Sequence, residues 1–235
     1  DVKLIDLYDG QKDLANKLLR SVGDPNERFS EDALRLMRAV RIATELGFKI
    51  EEDTQSAIKK NATLINKIAR ERVRDEILKI LASPNPYDGI LLFKESGLME
   101  QVLPELDKSF GVEQKSPERH HIYDVGTHSL FSLKFVSEKN TDPIVRFATL
   151  IHDIGKPVTY KKLDSGVITF YNHEIVGAKI AKRIADRLRF SRSQKDKLYR
   201  LVRYHQFTVD ERQTDSAVRR FIKNVGIENI ADMLD

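Results

Sequence analysis

The sequence predicts an all-α protein, and three observations carry that expectation. Apolar residues recur at the three- and four-residue spacing of a buried helix face along nearly the whole chain. Strict apolar–polar alternation is confined to the opening VKLIDLY and to a stretch around Gly166 to Tyr171. Several helical segments also carry capping residues. In chain order, VKLIDLY reads as a strand, and helices are expected over 10–21, 31–46, 51–60, 70–82, 86–96, 124–138, 142–154, 173–189, 192–205 and 215–224. Ser30 is placed to cap the second helix, Glu31 and Asp32 fall in its first turn, where acids suit the positive end of the helix dipole, and Gly47 follows its last apolar residue. Gly155 and Pro157 stop the helix over 142–154, and Ser191 precedes the one over 192–205.

The chain holds 235 residues, 40% apolar and 32% charged, with 11 Gly and 7 Pro. That length suits one large domain or two ordinary ones, and the composition excludes collagen-like, low-complexity and wholly disordered chains. No apolar run approaches the roughly 18 to 20 residues that span a bilayer, so no membrane is expected. The acidic opening DVKLIDLYDG is unlike a signal or transit peptide, and the lack of Cys removes disulfides and thiolate metal sites. Both fit a cytoplasmic location.

The formal charge is +4. It is unevenly placed: residues 179–223 hold fourteen Lys/Arg against five Asp/Glu, whereas residues 1–75 hold fifteen against fourteen. Such a run, which includes Arg219 and Arg220, is either a solvated helix face or a surface for RNA phosphates. The polar stretch from Lys108 to His121 is the expected linker and splits the chain near residue 115. The expected divisions are 1–28, 29–114 and 115–235. The chain opens on a strand-like segment without a cap and closes on IADMLD without a stop signal, which reads as part of a longer polypeptide.

Two constellations carry chemistry. In ERFSEDALRLMRAVRIATELGF, Asp32 and Arg35 are three apart on the expected helix, and Arg38 and Arg41 continue that row. A carboxylate beside a guanidinium is either an intrahelical ion pair or a planar donor–acceptor edge for a nucleobase. The second constellation is histidine-rich. His152 and Asp153 end an apolar helix in ATLIHDIGKP, and His128 and His152 each lie twelve residues from Asn140, the centre of the intervening loop. At about 1.5 Å rise per residue, an antiparallel helix pair brings them level. Two imidazoles and a carboxylate then converge, a set suited to a catalytic divalent metal.

The run RSVGDPNERFSEDALRLMRAVRIATELGF resembles the neck motif of the bacterial-type CCA-adding enzymes, the tRNA nucleotidyltransferase and poly(A) polymerase family. The resemblance extends back to IDLYDGQKDL, similar to the family's hinge motif with Leu7 at its proline position, and forward through IARERVRDEI to GLMEQVLPEL. It implies that Asp32 and Arg35, supported by Glu31, template the base of incoming CTP or ATP. Arg38 is grouped with these nucleotide-binding candidates. It also implies matches at Glu71, Arg72 and Glu76, which read best as helix-bracing ion pairs. In that family the transfer carboxylates and their Mg²⁺ lie on a sheet domain upstream of the hinge, so this chain is expected to select nucleotides without itself transferring them.

The segments THSL, LIHDIGKP, FYNHEIVGA and VRYHQF resemble the HD phosphohydrolase superfamily, and residues 120–235 fit that domain as it follows the neck in some CCA-adding enzymes. The resemblance implies metal ligands at His128, His152 and Asp153, with His152 and Asp153 catalytic. His173 and His205 become further ligands or phosphate contacts, and the metal Ni²⁺, Mn²⁺, Co²⁺ or Mg²⁺. Lys156 is either a phosphate contact or a solvated helix-end lysine. The family's last Asp ligand is expected past residue 235, since Asp232 and Asp235 are poor substitutes, and His120 and His121 read as surface residues. The fold expected is thus a helical nucleotidyltransferase neck and body followed by an α-helical HD domain. Three functions stay open: addition of C and/or A to tRNA, metal-dependent hydrolysis of a phosphomonoester or 2′,3′-cyclic phosphate, and non-catalytic RNA binding.

Overall fold

The computed structural model describes residues 5–114, 123–207 and 213–235. The chain divides into two compact units, one running to Val102 and one from Leu103 to Asp235. Among the described residues no helix is long and apolar enough to cross a membrane.

The first unit contains α1 (Gly10–Ala15), β1 (Leu18–Leu19), α2 (Pro25–Glu31), α3 (Leu34–Leu46), β2 (Lys49–Ile50) and α4 (Glu52–Asn61). A 3₁₀ segment (Ala62–Lys67), α5 (Arg70–Ala82), α6 (Pro86–Glu95) and α7 (Leu98–Val102) complete it. Helix α3 is its centre. Leu36, Met37 and Val40 lie on one buried face and pack on α5 and α6, whose Val73, Ile77, Ile80 and Phe93 are equally buried. Gly47 at φ 63° ends α3 in the left-handed conformation that spares glycine a Cβ clash.

Three expectations are corrected here. The helix over 10–21 stops at Ala15, because Lys17 takes a positive φ of 52° and Leu18–Leu19 pairs in parallel with Lys49–Ile50. Of the opening strand, the part described is not a strand; the Asp6 carboxylate instead accepts the N–H groups of Gly10 and Gln11, both at 2.9 Å, and so fixes the start of α1. The helix over 31–46 is two helices broken at Asp32. Ser30 lies inside α2, where its hydroxyl donates to the Asn26 carbonyl, and does not cap α3.

The second unit contains α8 (Pro104–Asp107), α9 (Val125–Ser137), α10 (Pro143–Ile151), α11 (Lys156–Thr159), β3 (Lys161–Lys162) and β4 (Ile168–Thr169). It continues with α12 (His173–Arg187), α13 (Arg192–Tyr204), α14 (Asp215–Val225), a 3₁₀ turn (Ile227–Asn229) and α15 (Ile230–Leu234). Helix α10 packs on α9 and α13, and α12 on α13, around Leu133, Phe147, Ile151, Ile184, Leu198 and Val202. Ser191 caps α13 in a reciprocal capping box with Gln194. The antiparallel pair β3–β4 supplies the strand expected near residues 166–171.

Helix α10 ends at Ile151, four residues before Gly155, which instead starts α11. The stretch after Lys108, expected as linker, is packed as far as Gln114. The Val125 N–H donates to the Val112 carbonyl at 3.1 Å and the Gly126 N–H to that of Ser109 at 2.9 Å, while the Phe110 ring fills the space that a side chain at 126 would need. His120 and His121 lie outside the described residues.

Candidate functional site

His128 stands on the first turns of α9, His152 caps the end of α10 and Asp153 follows it. The turn joining these helices is stapled by buried Arg146, whose Nε donates to the Asn140 carbonyl at 2.7 Å and Nη2 to that of Ser137 at 3.0 Å. The two imidazoles come level as the spacing predicts, with their Nε2 atoms 3.2 Å apart. His173 opens α12 and His205 closes α13, and both converge on the same carboxylate. Asp153 Oδ2 lies 3.5 Å from His128 Nε2 and 3.1 Å from His152 Nε2, and its Oδ1 lies 3.2 Å from His173 Nε2 and 3.5 Å from His205 Nε2. All five sequence-derived candidates are brought together, as two overlapping triads that share Asp153.

The donor set fits a divalent cation. Nδ1 of His152, His173 and His205 each lies 2.7 to 2.8 Å from the carbonyl three residues earlier, Thr149, Phe170 and Val202. A proton held there fixes the tautomer, so that Nε2 offers either a proton or a lone pair to the centre of the cluster. Three such nitrogens around one carboxylate need protons or a cation to be compatible. Burial alone would hold the His152 imidazolium down, but the adjacent Asp153 carboxylate outweighs it and raises that group above the usual imidazole range. Burial likewise pushes Asp153 up, and the charge on His152 with hydrogen bonds from His152, His173 and His205 holds it well below the usual carboxylate range. The cluster opens on a cavity of about 440 Å³ that also reaches Lys156, Phe170, Tyr171 and Gln206. Asp232 and Asp235 line a neighbouring cavity of about 310 Å³ together with His128, His152 and His205, but their carboxylates are engaged: Asp232 accepts from Lys197 at 2.7 Å and Asn140 at 3.0 Å, and Asp235 from Asn140 at 2.7 Å.

The first constellation departs from the expected row of neighbours on one helix. Asp32 sits at the α2–α3 break with extended backbone, its Oδ1 accepting the Leu34 N–H at 3.0 Å, and Arg72 is its nearest cation, at 3.9 Å. Arg35 turns instead to Glu31, at 2.8 Å from Oε2, and to the Arg28 carbonyl at 3.1 Å, while Arg28 bonds both Glu31 oxygens at 2.9 and 3.0 Å. Arg38 is exposed. Arg41 braces α3 on α5 through buried Glu76, at 2.6 Å, and also reaches Glu45. Glu76 thus takes the bracing role expected of it.

Three side chains at these sites were not singled out from the sequence. Arg28 completes the Glu31 cluster, Gln206 lies 3.1 Å from His173 Nε2, and Gln114 bonds Lys156 at 2.6 Å. A polar residue of a helix end or of a polar stretch has no periodicity to flag it. Arg219 and Arg220 stand exposed on α14.

Comparison with known proteins agrees with this architecture. A family model described as a probable RNA and SrmB-binding site of polymerase A matches residues 47–110, and the HD domain model matches residues 125–235. The A-adding tRNA nucleotidyltransferase of Deinococcus radiodurans is 34% identical over 226 residues, 94% of this chain and 51% of that protein. The multifunctional CCA protein of Legionella pneumophila (strain Paris) is 37% identical over 213 residues, 86% of this chain and 49% of that protein. The chain therefore spans about half the length of these curated relatives. Among solved structures, the Bacillus stearothermophilus CCA-adding enzyme in complex with CTP shares the fold at a TM-score of 0.67 and 23% identity, over 97% of this chain and 47% of that one. A helical body followed by a five-residue His–Asp cluster, matched nearly end to end by such relatives, makes this chain similar to the body and HD regions of the CCA-adding tRNA nucleotidyltransferases.

Proposed function

We propose that this chain is the nucleotide-selecting and RNA-binding part of a tRNA nucleotidyltransferase that adds C, A or both to the tRNA 3′ end from CTP and ATP. The observation that supports this reading is the residual bonding capacity of Asp32 and Arg35. Asp32 Oδ2 lies outside the bond to Leu34 and faces Arg72 only at 3.9 Å, beyond hydrogen-bond distance, and Arg35 uses only Nη1 among the described residues, so an acceptor and a planar donor fork remain near the start of α3. Mg²⁺-dependent transfer is assigned to the half of the relatives that this chain does not match. Asp32→Ala or Arg35→Ala in the natural full-length polypeptide should cost about 1 to 3 kcal/mol of discrimination between CTP or ATP and UTP or GTP. Competitive incorporation assays read this directly, and unchanged preference in both variants rejects the role.

The five-donor cluster supports a second activity on the same chain, metal-dependent phosphoester hydrolysis. His128, His152 and Asp153 would hold one divalent metal, and His173 with His205 would hold a second or contact the substrate phosphate. A bound Ni²⁺, Mn²⁺, Co²⁺ or Mg²⁺ supplies Lewis acidity toward a phosphate and lowers the pKa of water. The protein's own part is to orient the imidazoles through Thr149, Phe170 and Val202 and to keep Asp153 ionised. Elemental analysis after chelator-free purification should find metal in the wild type and much less in Asp153→Ala, with phosphatase or 2′,3′-cyclic phosphodiesterase activity lost in parallel. A wild type that takes up none of these metals and hydrolyses nothing leaves the second unit as a non-catalytic RNA-binding body.

A further inference from the structure

Lys156 is held more tightly than a helix-end lysine needs to be. Its Nζ lies 2.6 Å from Asp153 Oδ2 and 2.6 Å from Gln114 Oε1, 5.5 Å from the centre of the Phe170 ring, with the side chain only 11% exposed. An ammonium has three N–H donors, and these two acceptors fix two of them. Gln114 is itself 3% exposed, and its other end donates to the Tyr123 carbonyl at 3.3 Å. The backbone bonds from Val125 to Val112 and from Gly126 to Ser109 anchor the segment bearing Gln114 to the helix that carries His128. Gln114 and Lys156 both line the cavity of the histidine cluster.

We propose that Gln114 is a positioning residue of the HD site: it holds the Lys156 ammonium so that its third N–H faces a substrate phosphate seated in the cavity. The proposal rests on the hydrolase reading above. With Asp153 as its sole acceptor, the ammonium could rotate onto the carboxylate and spend its remaining donors there. A second acceptor on a different segment fixes its direction. The acceptor is a neutral amide, which leaves the lysine charge uncompensated from that side. A carboxylate at 114 would form the same bond, but it would neutralise Lys156 and repel a phosphate dianion.

That difference separates positioning for an anion from a structural bond. The full chain, loaded with Mn²⁺, is titrated calorimetrically with inorganic phosphate and assayed for KM and kcat on a phosphomonoester, with metal content and thermal unfolding measured alongside. Gln114→Leu should weaken phosphate binding about tenfold, the loss of one charge-assisted contact, and raise KM more than it lowers kcat, with metal content unchanged. Gln114→Glu should weaken binding at least as much although it preserves the acceptor. On a Lys156→Met background, Gln114→Leu should add less than about twofold, because the two act as one unit. Rescue by Gln114→Glu, an undiminished effect without Lys156, or wild-type phosphate binding in both variants overturns the proposal while leaving the hydrolase reading intact. A metal-loaded wild type that neither binds phosphate nor hydrolyses ester rejects both.

Discussion

At Gly155 a single hydrogen atom decides whether the histidine–aspartate cluster can assemble. A side chain there would strike the backbone carbonyl of His173 and crowd the Gly177 N–H, so the first turn of α12 rests directly on the chain that leaves Asp153. Gly155 has an ordinary φ of −79°, so the requirement is for close approach, with no conformational demand of its own. Gly155→Ala should therefore displace His173 from Asp153. The expected outcome is a loss of about 1 to 3 kcal/mol in urea unfolding and a lower metal content per chain, with His128 and His152 still able to bind weakly. The adjacent His152–Asp153 pair was legible because two polar residues ending an apolar helix demand a partner, and His128 followed from counting residues through the turn. His173 and His205 came from resemblance alone, since no spacing argument relates four helices. Gln114 carries no such signal, because burial of a polar residue in a polar stretch depends on packing that no local pattern records.

Helix α2 shows the same limit one level up. Asp24 accepts the Asn26 N–H at 2.8 Å and Pro25 stands in the first turn, a start signal that lies upstream of Ser30 and prevails over it. The break at Asp32 follows from that earlier start. Strand β1 is different in kind: two leucines become a strand only because Lys49–Ile50 lies beside them, 31 positions onward. Helix α8 likewise owes its place to a distant partner. Arg187 of α12 donates to both oxygens of Glu105, at 2.6 and 2.7 Å. Burial pushes Glu105 up, but the Arg187 bonds outweigh it and hold its pKa below 4.5, the usual value for the free residue. The pair's stabilisation is thus fully present above that value and is lost as pH falls through the lower folded-state pKa. Glu105→Gln should cost about 1 kcal/mol at neutral pH, since both groups are partly exposed, and the gap from wild type should close on acidification below pH 4.5. Denaturant melts of the two proteins from pH 7 to pH 3 measure it, and a gap that persists in acid assigns the effect to packing instead.

For the molecule as a whole, charge is the property that composition exposes and structure revises. The basic run over 179–223 counts fourteen cations, but Arg187, Lys195 and Lys197 are committed to Glu105, Asp186 and to Asp142 with Asp232, and Arg200 donates to the Asn224 carbonyl. Those cations are already neutralised or bonded within the fold and release few counterions on RNA binding. Lys179, Lys182, Arg183, Arg220 and Lys223 are exposed, and among the described residues Arg219 reaches only Asp215, at 3.9 Å, with its side chain 76% exposed. If the second unit contacts the tRNA backbone, its salt dependence should reflect this smaller set, with each lost phosphate contact reducing the slope of log K against log salt by about 0.7 to 0.9. Reversing Arg219 and Arg220 to Glu should therefore lower the slope by roughly 1.5 and weaken binding most at low salt, without altering sequence preference. Reversing Arg187 should leave the slope nearly unchanged while destabilising the fold. Fluorescence anisotropy with labelled tRNA over a salt series distinguishes the two, and an affinity indifferent to salt would make the run a solvated helix face.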